Sequence, residues 1–166
     1  MKPVIKEVNE SAIGEIRRIA HATWPISYKE MISADQIDYM LDIMYSENSL
    51  REQFAAGIRF LICEWGELPA GFAGAGPINE SSKIWRLEKL YVMPELQSKG
   101  LGGALLDHVI KIAKKAEAST IELNVNRNNK ALIFYQRMGF EIHDSVDLPI
   151  GGGFFMNDYI LHKKID

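Results

Sequence analysis

The stretch Gln97-Ser98-Lys99-Gly100-Leu101-Gly102-Gly103-Ala104 puts three glycines into four residues, at the point where an apolar run ending in Tyr91-Val92 gives way to a helical pattern. Each glycine there costs backbone entropy, so a loop that only started a helix would be poorly served by them. The first N–H groups of a helix have no partner within it and lie at its positive end. Glycines leave no side chain to hold an anion away from those donors. Gly100 and Gly102 therefore suit a backbone that wraps an anion such as pyrophosphate. Lys99 adds a point charge beside it.

Two common nucleotide-binding turns are excluded. The nucleoside-triphosphate signature G-x-x-x-x-G-K-[ST] is absent. A dinucleotide turn needs G-x-G-x-x-G directly after a strand, with an acid about 20 residues further on. Here Leu105 occupies the third glycine position, and seven residues separate Val92 from Gly100. Glu122 lies at the right distance but within a strand pattern. His21, His108, His143 and His162 show no metal-ligand spacing, so no metal is expected. Cys63 sits in an apolar strand pattern and reads as core, not nucleophile.

The elements that must carry this turn follow from periodicity. Residues 4–8 alternate like a short strand, and Ser11 is a plausible N-cap for a helix that Pro25 stops or bends after Trp24. A second helix follows Ser33, with Ile37, Met40, Leu41 and Met44 at helical spacing, and residues 49–56 suit one further short helix. The period then changes. Residues 58–65 and 70–77 read as strands joined by Gly66-Glu67-Leu68-Pro69, and residues 83–92 as a longer one. Residues 100–118 form the clearest helix, with Leu101, Leu105, Val109 and Ile112 as its stripe and lysines in its last turns. Residues 120–126 are a strand and residues 129–138 a helix stopped by Gly139. Residues 140–146 and 154–163 close the chain as a strand pair. The predicted fold is α/β (α+β): a mixed, mostly antiparallel sheet of six to seven strands with four or so helices packed on its faces.

Composition bounds the partners. The chain of 166 residues fits a single domain over 1–166, with 47% hydrophobic and 25% charged residues and a net charge of −3. That balance gives no general attraction to nucleic acid or anionic membrane. The charged start Met1-Lys2-Pro3-Val4-Ile5-Lys6-Glu7 lacks the apolar run of a signal peptide, no stretch is long enough to span a membrane, and one cysteine allows no internal disulfide. A cytoplasmic setting is the expectation. The apolar run Phe154-Phe155-Met156 could pair across a homodimer or simply close the sheet.

Gln97-Ser98-Lys99-Gly100-Leu101-Gly102 matches the [QR]-x-x-G-x-[GA] signature of the GCN5-related N-acetyltransferases, and Leu90-Tyr91-Val92-x-Pro94 before it is typical of the same family. A second segment also resembles that family: a strand over Ile121 to Asn126, an Asn128–x–x–Ala131 helix start, and Phe134-Tyr135 followed by Gly139-Phe140. The resemblance covers most of the chain and implies the acyl-CoA N-acyltransferase fold, with acetyl-coenzyme A as co-substrate and a small-molecule amine as acceptor. It implies that the backbone of Leu90, Tyr91 and Val92 pairs with the pantetheine arm. Gln97 to Ala104 would then hold the pyrophosphate, and Asn129 would bond the cofactor arm.

Amine attack on a thioester expels a thiolate, which a phenol within reach can protonate. The resemblance gives Tyr135 that role. The attacking amine must also lose a proton, and Glu88, on the strand facing the thioester, is the candidate base; pairing with Arg86 or Lys89 is its alternative. The resemblance implies that the N-terminal helices and the last hairpin choose the acceptor. Trp24, Tyr28 and Tyr39, set among acidic residues, resemble the corresponding part of bacterial spermine/spermidine acetyltransferases and suit a polycation. Peptide N-termini, ribosomal proteins and other small amines are alternative acceptors, and a non-catalytic coenzyme A binder is the rival class.

Overall fold

A computed structural model describes residues 1–166. The elements run β1 (Val4–Val8), α1 (Ile13–Ser27), α2 (Ala34–Tyr45), α3 (Glu47–Ala55), β2 (Arg59–Trp65), β3 (Leu68–Pro77), β4 (Ile84–Val92), α4 (Leu101–Lys115), β5 (Thr120–Asn126), α5 (Ala131–Arg137), β6 (Glu141–Gly151) and β7 (Phe154–Lys164). The strands form one seven-stranded sheet in the order β1-β2-β3-β4-β5-β7-β6. Every pairing is antiparallel except β4 with β5, which α4 joins as a crossover. No helix is long and apolar enough to cross a membrane.

The central strands are apolar on both faces because both faces are covered. On one side, Phe60, Ile62 and Phe72 pack against Ile16, Ile19 and Trp24 of α1 and Met40, Leu41 and Tyr45 of α2. On the other side, Leu61, Cys63, Ala73, Ala75 and Leu87 meet Leu101, Leu105, Leu106, Val109 and Ala113 of α4. Cys63 is fully buried there, and burial pushes its thiol up to about 11.

Three local expectations shift. The first helix is entered through a short 3-10 turn whose cap is Asn9, not Ser11; the Asn9 side chain accepts the Ser11 N–H at 2.9 Å. Pro25 lies inside α1 and does not end it. It forfeits one backbone bond near the C-terminus, while burial of Trp24 and Tyr28 beside it holds the last turn on the sheet. β6 continues through Pro149 to Gly151, well beyond residue 146. It is an edge strand, where a missing N–H breaks no ladder.

Candidate active site at the parting of two strands

β4 and β5 pair in parallel over only four positions, from Ile84↔Thr120 to Leu87↔Leu123. Beyond Leu87, β4 is bonded only to β3, through Lys89, Leu90, Tyr91 and Val92. Beyond Leu123, β5 is bonded only to β7, through Asn124, Val125 and Asn126. Two strand edges with free backbone groups therefore face each other across a wedge. A cavity of about 970 Å³ fills it, floored by Leu87 to Val92 and walled by Tyr28, Asn124, Asn129 and Tyr135.

The parting coincides with a β-bulge. The β3–β4 register passes from Ala75↔Leu87 to Gly74↔Lys89, so Glu88 has no counterpart. A bulge re-aims the side chains that follow it. Leu87 and Leu90 consequently belong with the α4 core, while Lys89 and Tyr91 turn to the α1–α2 side. Glu88 itself lines the cavity, with its carboxylate 3.7 Å from Arg86.

At the mouth, Gly100 adopts φ +80°, the left-handed conformation that favours glycine, and starts α4. The first bond of the helix runs from the Ala104 N–H to the Gly100 carbonyl at 3.1 Å. The N–H groups of Leu101, Gly102 and Gly103 thus precede any acceptor within the helix. A Cβ at Gly100 or Gly103 would meet nothing within 4 Å, and at Gly102 the Phe134 ring at 3.6 Å and Val92 Cγ2 at 4.0 Å. Protein packing leaves that space open. Leu90, Tyr91, Val92, Gln97, Gly100, Leu101, Gly102, Gly103 and Asn129 all line the cavity. Lys99 and Ala104 do not: the Lys99 ammonium lies 5.8 Å from the Trp65 ring centroid, and the Ala104 N–H is committed to Gly100. Just before α5, the Asn129 side-chain oxygen accepts the Ala131 N–H at 2.9 Å, which leaves its amide nitrogen for a ligand.

Tyr135 reaches the cavity from α5, flanked edge-on by Phe134 and Phe140. Burial raises its phenol well above the usual range, so it stays protonated. From the opposite side of the sheet come Tyr28 and Tyr91, hydroxyl to hydroxyl at 2.9 Å. Burial pushes Tyr28 up to about 12.

The expected acceptor residues divide. Tyr28 lines the cavity. Trp24 does not; it is 1% exposed and stacks against Tyr28 at 4.4 Å in the α1–α2 core. Tyr39 also lies elsewhere, donating to the Ile150 carbonyl at 2.9 Å and packing on Phe154. Those two aromatics hold the helices and the final hairpin together.

Sequence reasoning missed two buried charges. Lys89 is 4% exposed, with its ammonium 4.8 Å from the Tyr45 ring centroid and no carboxylate paired with it. Burial lowers it to about 8, against a weaker opposing pull from Glu88. Its signal was a lysine inside a strand covered on both faces. Asp158 on β7 is 2% exposed, bonded only by the Asn124 amide at 3.4 Å, and burial raises its carboxyl.

Residues 15–140 match the sequence model of the Acetyltransferase (GNAT) family. The chain belongs to that family. Its sequence is 26% identical to the spermidine N(1)-acetyltransferase of Thermoplasma acidophilum, over 98% of this chain and 97% of that one. An uncharacterised N-acetyltransferase of Methanocaldococcus jannaschii is 35% identical over 49% of this chain, a match spanning 38% of that longer relative. Among solved structures, the PaiA N-acetyltransferase of T. acidophilum in complex with coenzyme A superposes with a TM-score of 0.84 at 25% identity, covering 99% of both chains. The family and fold expected from the glycine turn and the α5 segment are thus correct, with seven strands and five α-helices. In this GNAT acetyltransferase the glycine turn, the parted strands and Tyr135 all fall within the matched region.

Proposed function

We propose that residues 1–166 form one acetyltransferase domain that moves an acetyl group from acetyl-coenzyme A directly to the primary amine of a small molecule, with polyamines as the leading acceptor class. The observation that carries this reading is the wedge itself: free strand edges, a glycine-lined helix start and a protonated phenol all open onto one cavity.

The residues present fit coenzyme A. Open space over Gly100 and Gly103, with unclaimed N–H groups at Leu101 to Gly103, suits a pyrophosphate. The free edge of β4 at Leu90 to Val92 suits the amides of a pantetheine arm, as an added strand does. The Asn129 amide nitrogen suits the same arm. When bound, the cofactor supplies an acyl thioester.

The chain supplies position, charge and a proton. The wedge holds thioester and amine together, which removes most of the entropic cost of their meeting. Backbone N–H groups on β4 stabilise negative charge developing on the carbonyl oxygen. Tyr135 donates its proton to the leaving sulfur. Burial that raises the phenol also disfavours a bare thiolate in the same site, so the two remain matched as donor and acceptor. Glu30 and Glu88 line the acceptor end and suit a second cationic centre. Relatedness to a spermidine acetyltransferase along the whole chain supports the polyamine class.

The test is thiol release from acetyl-coenzyme A with polyamines, amino acids, peptides and aminoglycosides, beside calorimetry for coenzyme A. Binding with release that depends on spermidine or a similar polyamine is the expected result. Release with peptides alone redirects the acceptor class, binding without release points to a coenzyme A sensor, and no binding defeats the reading.

A further inference from the structure

We propose that Lys89, which borders the cavity at the β4 bulge, takes the proton that the incoming amine must lose. The inference rests on the acetyl-transfer reading above and names the group that completes it.

The geometry is particular. The bulge at Glu88 turns Lys89 away from the α4 core and onto the α1–α2 face, opposite the face that carries Tyr135. Proton donor and proton acceptor therefore flank the wedge from its two sides. Lys89 is 4% exposed yet borders the cavity, and its ammonium rests over the Tyr45 ring at 4.8 Å with no carboxylate paired to it. A structural lysine buried in this way would need an acid partner.

The groups around it leave it free to change charge. Tyr28 at the end of α1, Tyr45 on α2, and Tyr91 on β4 all have phenols that burial keeps neutral. Tyr135 on α5 is neutral for the same reason. β3 offers only Gly74 and apolar neighbours, and β5 offers the neutral Asn124. Asp158 on β7 acts on Tyr28, and its own carboxyl is raised by burial. Glu88 pulls weakly toward the charged form, but it is turned to Arg86. A buried lysine lowered to about 8 is half neutral near pH 8, and a proton acceptor is most effective near its own titration point.

The step balances. Neutral Lys89 takes one proton from the acceptor's ammonium and becomes an ammonium itself. The freed nitrogen pair forms the N–C bond, and the C–S bond breaks with its electrons passing to sulfur, which takes the Tyr135 proton. The acylated nitrogen then gives up its second proton to the Tyr135 phenolate, which restores the phenol, and Lys89 returns its own proton to solvent through the open cavity.

The test compares the wild type with Lys89→Arg and Lys89→Met, using acetyl-coenzyme A with spermidine, or with whichever amine of the panel above releases thiol. Both variants should keep coenzyme A affinity within about twofold while kcat falls about 100-fold, and the wild-type rise in kcat with pH near 8 should vanish. Lys89→Arg preserves charge but cannot take a proton. Arginine activity near the wild-type level with the rise intact would overturn the proposal and leave acetyl transfer standing. Absence of turnover by the wild type with every amine, or of coenzyme A binding, defeats the parent reading and this one with it. Should neither variant fold, competitive acetic anhydride labelling of the wild type decides: Lys89 titrating well below the exposed lysines supports the role, and titrating with them overturns it.

Discussion

Leu87 and Leu123 are the last residues at which β4 and β5 run side by side, and the cavity begins where they stop. The pairing ends because Glu88 bulges out of β4 immediately after Leu87. One inserted residue thus opens the sheet, frees two strand edges and turns Lys89 and Tyr91 toward the α1–α2 side. The site is a consequence of sheet register, with side chains placed around it.

Tyr135→Phe tests the proton donor. The ring packs between Phe134 and Phe140 and loses only a hydroxyl that bonds no protein group, so stability should change little. Steady-state kinetics should show kcat reduced about 100-fold, the usual value of one positioned acid. Coenzyme A affinity by calorimetry should be unchanged. Full turnover in the variant would remove Tyr135 from the chemistry.

Gly103→Leu tests the cradle. A Cβ there meets nothing within 4 Å, and glycine is the weaker helix former, so thermal unfolding should be unchanged or shifted slightly upward. Coenzyme A affinity should fall at least tenfold, about 1.4 kcal/mol, because the side chain fills the space over the free N–H groups. Unaltered affinity would place the pyrophosphate elsewhere.

The sequence announced features governed by local rules. The glycine turn, the stripe of α4 and the alternation of residues 4–8 and 120–126 depend on neighbours a few positions away. What it concealed depends on pairing and burial. The bulge at Glu88 exists only against Gly74 and Ala75 of β3, which no periodicity within β4 reports. Lys89 sits in the charged run Arg86, Glu88, Lys89, which looks solvated until the bulge buries its last member. Trp24 and Tyr39 carry the same residue types as the cavity-lining Tyr28, and only the packing of α1 and α2 separates core from site.

Arg86→Met tests what holds the strands together before they part. Arg86 on β4 donates to Glu122 on β5 at 2.7 Å and to the Asn124 side-chain oxygen, and lies near Glu88. Glu122 is mostly buried and would keep only His162, at 2.9 Å. Leaving a buried acceptor short of donors should cost about 1–3 kcal/mol in chemical denaturation. A double-mutant cycle with Glu122→Gln should recover part of that loss, and strict additivity would show that the two side chains do not cooperate.

Lys89 makes the stability of the protein depend on pH in a direction opposite to most lysines. Its value is about 8 in the folded chain, against 10.5 when unfolded, so burial of the charge is a penalty fully present below about 8. Between those values the folded chain sheds a proton that the unfolded chain keeps, and stability should climb with pH. Tyr28 opposes this above about 10, because the unfolded chain ionises there while the buried phenol, near 12, does not. The curve should therefore rise and then turn over. Lys89→Met should abolish the rise and stabilise the protein near pH 7 by up to about 3 kcal/mol, the free energy of a shift of that size. Urea denaturation near pH 7 and near pH 9.5 measures both effects. A wild-type curve that is flat across that interval would mean that the Lys89 ammonium is solvated, and that the charge carries no burial penalty at all.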